Sequence, residues 1–343
     1  MKIGIMSFAH MHAETYIQNL RSIPNVEMIG IADEDLARGE EFSEQFDAHL
    51  YPTYQDLLAE ADAVIVCSEN TRHRPLVEMA AAAGVHVLCE KPLATTAADA
   101  EAMMAACRQV GVILMTAFPM RFSAPLQQLK MQLDAGLFGQ PYCVSSVNQG
   151  RIPVDYRSWF VDPELSGGGA LIDHIVHLAD IMRWYFDCEV TSVYAQTNNL
   201  MYPNGVVNDS RGFEIVYADE VPVETVGLVM LTFENGVFAT IDCSWSKPLN
   251  YHTWGGLSFE MTTENGVIAA DAFSQNLSIH TEKPMAHNLA FWGSDANQAM
   301  IEEFVSAIRE QREPAVTAQD GKIGLDITLA AYESVRTGMP VKL

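Results

Sequence analysis

The chain has 343 residues, 49% of them apolar, and its 44 acidic against 20 basic side chains give a formal net charge of −24. That length suits two domains, each large enough to bury a core. The acidic surplus argues against nucleic acid, anionic membranes and highly charged anionic substrates as partners, unless one face is locally basic. No apolar run approaches the roughly 20 residues of a membrane span. The amino terminus opens on the strand pattern Lys2-Ile3-Gly4-Ile5-Met6 without the features of a signal peptide, so a cytoplasmic location is expected. Cys67, Cys89, Cys107, Cys143, Cys188 and Cys243 are scattered without Cys-x-x-Cys spacing. They read as reduced core residues, with neither disulfides nor structural zinc expected.

Short apolar runs alternate with helical patterns through the first part of the chain, the signature of βαβ units around a parallel sheet. Strands are expected near residues 2–7, 26–32, 63–67, 85–89 and 112–116. Helices are expected near 12–21, 35–46, 54–60, 73–83 and 96–110, the last capped by the Thr95-Thr96 pair. The turn after the first strand reads Ser7-Phe8-Ala9-His10-Met11-His12, with serine, alanine and histidine where the dinucleotide fingerprint G-x-G-x-x-G has glycine. Two readings stand: a nucleotide site rebuilt with small residues and helix amides, or a sheet whose first turn no longer holds a nucleotide. The second strand favours the first reading. It ends at Asp33, placed to accept hydrogen bonds from a ribose diol and to repel a 2′-phosphate, so NAD is expected over NADP. Glu34 and Asp35 add to that preference, and Asp35 also fits a helix cap. The third strand runs into Ser68-Glu69-Asn70-Thr71-Arg72-His73, polar residues suited to a cofactor loop. His73 fits that loop and the exposed start of the next helix equally well. The fourth strand delivers Glu90-Lys91-Pro92 at its carboxyl end, where open α/β sheets bind ligands. Pro92 biases Lys91 toward extended backbone, which holds the amine at the strand tip. A solvated ion pair is the ordinary fate of such a dipeptide.

From Phe118 to Pro125 the alternation breaks, which puts a domain boundary near residue 120. A helix near 123–135 and a strand near 140–148 lead to Ser166-Gly167-Gly168-Gly169-Ala170-Leu171-Ile172-Asp173-His174-Ile175-Val176-His177. Three glycines opening a helix let a ligand or another backbone approach closely. Asp173 and His177 share one face, with Asp180 a further turn along. A carboxylate one turn from an imidazole orients it as a general base, whereas His174 lies off that face and reads as structural. His10-x-His12 and Asp173-His174-x-x-His177 also suggest metal ligation. Neither set is completed by further ligands at suitable strand ends, so no metal is expected. Consecutive strands follow from about 188 to 281, and Glu-Asn-Gly-Val at 234–237 and 264–267 signals two hairpins. Residues 201–218 read as a long loop, and helices near 296–311 and 319–337 close the chain. The apolar open face of such a sheet is expected to meet a second copy, as a homodimer or homotetramer.

The assembled pattern resembles the glucose-fructose oxidoreductase and inositol dehydrogenase family (Gfo/Idh/MocA) over essentially the full length. Glu90-Lys91-Pro92, Asn70, His73, Asp33, the triple glycine with Asp173 and His177, and Asp320-Gly321 carry the resemblance. The resemblance implies an α/β protein in two parts. Residues 1–120 form an NAD(P)-binding Rossmann domain with a doubly wound parallel sheet. Residues 121–343 form a substrate and oligomerisation domain with a mainly antiparallel open sheet, its final helix able to pack back on the first domain. It further implies NAD contacts from Ser7, Phe8, Ala9, His10, Met11, Asp33, Ser68, Asn70, His73, Glu90 and Lys91. The implied reaction is oxidation of a secondary hydroxyl of a sugar or polyol. His177 would take the proton, Lys91 would stabilise the alkoxide and Asp173 would orient substrate and imidazole. Arg121, Tyr156 and Trp159 are further candidate substrate contacts. A glycosidase using NAD transiently and a non-catalytic dinucleotide-binding regulator are the alternatives within the resemblance. The fingerprint glycines and Ile175, where relatives often have glycine, are the departures from its pattern.

Overall fold

The structure, a computed structural model, describes every residue except 156, 203–204, 209–213, 218–219, 250, 252, 254, 283–284 and 292. At 155, 207–208, 214–217, 276–282 and 285–291 it describes the backbone alone. In chain order the elements begin β1 Lys2–Met6, α1 His12–Ser22, β2 Glu27–Ala32, α2 Leu36–Phe46, α3 Tyr54–Leu58, β3 Ala63–Val66, α4 His73–Ala82, β4 His86–Cys89, α5 Ala97–Val110 and β5 Leu114–Thr116. They continue with α6 Ala124–Asp134, β6 Pro141–Gly150, α7 Pro163–Ser166, α8 Ala170–Phe186, β7 Val190–Asn198, β8 Val206–Asn208, β9 Glu214–Tyr217, β10 Val226–Phe233, β11 Phe238–Asp242, β12 Gly255–Thr263 and β13 Gly266–Asp271. The last are β14 Asn276–Glu282, β15 Met285–Phe291, α9 Ala296–Glu310, α10 Ala318–Thr337 and β16 Val341–Lys342.

Two compact units result. The first comprises residues 1–119, 164–167 and 296–325. Its five strands are all parallel, in the order β2-β1-β3-β4-β5. The centre of the sheet is buried on both faces, which is why Ile3, Ile5 and Met6 of β1 and the whole of β3 are apolar and inaccessible. Chain order reverses beside β1, and ligands of doubly wound sheets bind at the carboxyl ends there. Helix starts follow local chemistry: Asp35 accepts from the Ala37 and Arg38 amides to cap α2, and Thr96 accepts from Asp99 to cap α5. Both outer strands are covered. Ile31 of β2 bridges to Leu50, and Thr116 at the end of β5 donates to the Thr317 carbonyl at 3.3 Å, just before α10. Thr116 also fills the space that a side chain at Gly321 would need.

The second unit comprises residues 120–163, 168–295 and 326–343. Its seven-stranded sheet has the order β13-β12-β6-β11-β10-β7-β16, antiparallel throughout except where β6 and β11 run parallel. Strand β10 alternates as a half-buried strand should, with Val229, Leu231 and Phe233 inside and Leu228 and Met230 exposed. Helix α8 packs on the inner face of this sheet against β6 and β10. The two Asn-Gly signals fall in the β10–β11 and β12–β13 hairpins. The segment 201–218 differs from the expected loop, because β8 and β9 pair within it. Among the described residues no helix is long and apolar enough to cross a membrane.

Candidate active site

The first turn departs from a glycine cradle in a physically specific way. Ser7 stands in the left-handed region at φ 69°, a conformation costing an ordinary L-residue roughly 1–2 kcal/mol. Its amide donates to Ala32 O at 2.8 Å, and its hydroxyl accepts from the Ala9 amide at 3.1 Å. Neighbouring amides are engaged too. Phe8 N donates to Asp33 Oδ2 at 2.7 Å, His10 N to Cys67 O at 2.8 Å and His12 N to His10 Nδ1 at 3.2 Å. The Phe8 ring is fully buried and stacks on Phe42 at 4.9 Å, so only its backbone is available to a ligand. Asp33 is buried beside Arg38, whose Nε and Nη2 reach Oδ2 at 2.8 Å and Oδ1 at 2.7 Å. Burial alone would lower the Arg38 pKa, and Asp33 with Glu69 more than reverses that.

At the end of β4, Glu90 is fully buried. Its Oε1 accepts from Tyr16 OH at 2.5 Å and lies 3.0 Å from His12 Nδ1; Oε2 accepts from the Lys91 amide at 3.0 Å and lies 3.9 Å from His10 Nε2. Burial pushes its carboxyl up, but His10, His12 and the Tyr16 hydroxyl outweigh that and hold it well below the usual range. The reading that no carboxylate completes the His10-x-His12 pair is therefore corrected. Glu90 brings three ligating groups within 4.8 Å of one another, a set able to hold a divalent cation. Each Glu90 oxygen also meets protein donors, so the cluster is equally satisfied as a hydrogen-bonded charge network. Lys91 is buried alongside.

His73 begins α4 but is fully buried, which corrects the exposed alternative. Its Nδ1 lies 3.0 Å from Pro92 O and 3.2 Å from Leu93 O, and Nε2 lies 3.3 Å from Ser68 O. It therefore ties the loops after β3 and β4 together. Burial lowers its pKa, against the pull of Glu90 and these carbonyls. The Ser68 hydroxyl donates to Glu69 O at 3.2 Å. Asn70 Nδ2 donates to Ser166 O at 2.8 Å. Its buried Oδ1 has no hydrogen-bond partner among the described residues, an acceptor that a ligand hydroxyl or amide would satisfy.

In the second unit Gly168 and Gly169 serve the protein's own packing. A side chain at Gly168 would strike the Tyr332 phenol, and one at Gly169 would strike the Glu224 carbonyl, so it is another backbone that approaches here. Glu224 Oε1 accepts from Gly169 N and Leu171 N at 3.0 Å each and from Tyr332 OH at 2.7 Å. Burial raises the Glu224 pKa despite these donors. Asp173 accepts from Trp245 Nε1 at 3.0 Å, and its Oδ2 lies 3.2 Å from His174 Nε2. His174 Nδ1 in turn faces Cys243 O at 3.0 Å. The i,i+4 spacing sets Asp173 and His177 one turn apart on α8, and His174 brings an imidazole within contact distance of the carboxylate. His177 is half-buried on α8. Arg121 forms a two-pronged ion pair with Asp180 at 2.8 and 2.6 Å, and Trp159 is buried and stacks on Phe160 at 4.0 Å. Tyr156 lies outside the described residues. Sequence reasoning missed Arg38, Tyr16, Glu224, Tyr332 and Trp245. The Arg38 contact was within reach, since a capped α2 places residue 38 one turn from Asp33.

A parallel doubly wound sheet with an acidic residue closing β2, followed in the chain by a mainly antiparallel sheet, defines a two-domain oxidoreductase with an NAD(P)-binding Rossmann half. Residues 2–118 match the family described as "Oxidoreductase family, NAD-binding Rossmann fold", and residues 126–269 match the "GFO/IDH/MocA C-terminal domain". The chain belongs to the Gfo/Idh/MocA family of oxidoreductases. It is 28% identical to myo-inositol 2-dehydrogenase of Thermotoga maritima, covering 100% of this chain and 98% of that protein. It is 29% identical to D-apiose dehydrogenase of Paraburkholderia graminis, covering 99% and 88%. The aldose-aldose oxidoreductase of Caulobacter crescentus, solved with glycerol, shares the fold at a TM-score of 0.80 and 24% identity, covering 100% of this chain and 99% of that one.

Proposed function

We propose that this protein is an NAD-dependent dehydrogenase oxidising a secondary hydroxyl of a sugar or polyol, with His177 as proton acceptor. The observation carrying this reading is the Glu90-Lys91-Pro92 strand end, tied to the neighbouring loop by buried His73, in a chain whose relatives are named sugar and inositol dehydrogenases. The bound dinucleotide would supply the hydride acceptor. Asp33, Ser68, Asn70, Glu90, Lys91 and the backbone of residues 7–11 would hold it, with His73 fixing their loops. The half-buried His177 imidazole would take the hydroxyl proton as negative charge develops on oxygen. The Lys91 ammonium would donate to that oxygen. Asp173, held by Trp245, would accept from a substrate hydroxyl. NAD is favoured because Asp33, Glu34, Asp35 and Glu69 outnumber Arg38 and Arg72 around the end of β2. Exposed Tyr142, Leu228, Met230 and Phe238 give the sheet of the second unit an apolar outer surface for a second copy of the chain.

Calorimetric titration with NAD and NADH, followed by a screen of polyols and sugars for cofactor reduction, tests the reading. Micromolar binding and turnover of a secondary alcohol are expected. Absence of binding in protein shown to be free of carried-over nucleotide would refute it. Light scattering on the same sample should give a dimer or tetramer, and a monomer would remove the proposed contact between copies.

A further inference from the structure

The Asp33 carboxylate has no acceptor capacity left for a ribose. An ionised carboxylate offers about four lone-pair positions. Oδ1 accepts from Asp35 N at 3.0 Å and Arg38 Nη2 at 2.7 Å; Oδ2 accepts from Phe8 N at 2.7 Å and Arg38 Nε at 2.8 Å. The Ser7 hydroxyl lies 3.4 Å from Oδ2 as a longer fifth contact. The two amides are fixed by the turns that carry them, so Arg38, which holds both oxygens, is the main partner that can give way. Its side chain is 18% exposed, its Nη2 also donates to Ser7 Oγ at 3.2 Å, and its Nη1 lies 3.5 Å from Glu69. A planar fork of donors suits a phosphate as well as a carboxylate.

On the reading that a dinucleotide binds at this turn, we propose that Arg38 is a second determinant of cofactor choice, which moderates the preference for NAD. With NAD, the 2′,3′-diol displaces the guanidinium from Asp33, and breaking that ion pair reduces the gain. With NADP, the guanidinium stays between Asp33 and the ligand and pairs with the 2′-phosphate, screening the carboxylate that would repel it. The protein therefore accepts both dinucleotides, NAD ahead of NADP. Four carboxylates surround two guanidiniums here, so a net negative field remains whichever partner Arg38 takes.

The experiment is calorimetric titration of the full-length protein and its Arg38→Ala, Arg38→Gln and Asp33→Asn variants with NAD and NADP, after circular dichroism has established folding. The quantity read is the ratio of the NADP to the NAD dissociation constant. It should rise about tenfold or more in Arg38→Ala and Arg38→Gln, each checking the other against misfolding, and fall by a similar factor in Asp33→Asn. Equal weakening of both dinucleotides, with the ratio within twofold of the parent, would mean that Arg38 only stiffens the turn and would overturn the proposal. A parent protein that binds NAD but not NADP at millimolar concentration would overturn it too, while leaving the dehydrogenase reading intact. Binding of neither would sink both.

Discussion

Two helix amino termini, α1 in the first unit and α8 in the second, satisfy the same need by opposite means. Neither helix has a side-chain cap of its own. The turn before α1 has no glycine between residues 7 and 11, and the amides of residues 8, 9, 10 and 12 are taken up by Asp33, Ser7, Cys67 O and His10, while Arg38 brings positive charge nearby. Before α8 the chain has three glycines, and the remote carboxylate of Glu224 takes two amides at once. Side chains and a carbonyl thus take up the amides at α1 in a turn without glycine. At α8, Gly168 and Gly169 leave room for Tyr332 and the Glu224 backbone. A glycine run marks close approach; only the structure says by what.

The comparison breaks first, and by the most, at the chemical step. Lys91→Ala and His177→Ala should each lower kcat/KM by about 10²–10⁴-fold with folding retained, and near-parental turnover in steady-state assays would remove both from the proposed machinery. Next comes the support of α8. Glu224→Ala strands two amides and the Tyr332 hydroxyl, and should destabilise the protein by about 1–3 kcal/mol in urea titration. Glu224→Gln keeps an acceptor and should cost less. If Ala and Gln prove equally mild, water serves those amides and the remote cap is unimportant. The smallest effect is pH dependence. Burial lowers His73 from its ordinary 6.5, so the unfolded chain binds the proton more readily. Its contribution is present above that value and declines as pH falls through the folded one. His86, also lowered by burial, acts in the same window, so His73→Asn should flatten the loss of stability between about pH 7 and 5 only in part. An unchanged slope would mean that His73 binds its proton equally well in the folded and unfolded chain. Glu224 has the opposite sign: its raised pKa gives stability that is present below 4.5 and declines as pH rises through the folded value.

Legibility in the sequence followed contact range. The parallel sheet, the caps at Asp35 and Thr96 and both Asn-Gly hairpins depend on residues close in the chain, and each could be read from spacing and residue type. Glu224 sits 55 residues from Gly169, and Asn70 sits 96 from Ser166, so nothing in their own neighbourhoods announces a partner. Asp173 shows what spacing leaves out. A period of four names His177, and nothing local announces the indole downstream of β11 that donates to the same carboxylate. Between residues 201 and 218 the sequence lacks strand-like alternation, and a short pairing of β8 with β9 forms nonetheless.

The Thr116 contact with residues 317–321 has a consequence for biosynthesis. Strand β5 is the outermost strand of its sheet, and an uncovered edge is a template for pairing with other chains. Its cover is translated some 200 residues later, a delay of about 10–40 s at ordinary elongation rates. During that interval the nascent Rossmann half carries a raw edge, kept short by the three-residue length of β5. Chains cut before residue 317 should therefore aggregate even with the whole parallel sheet present.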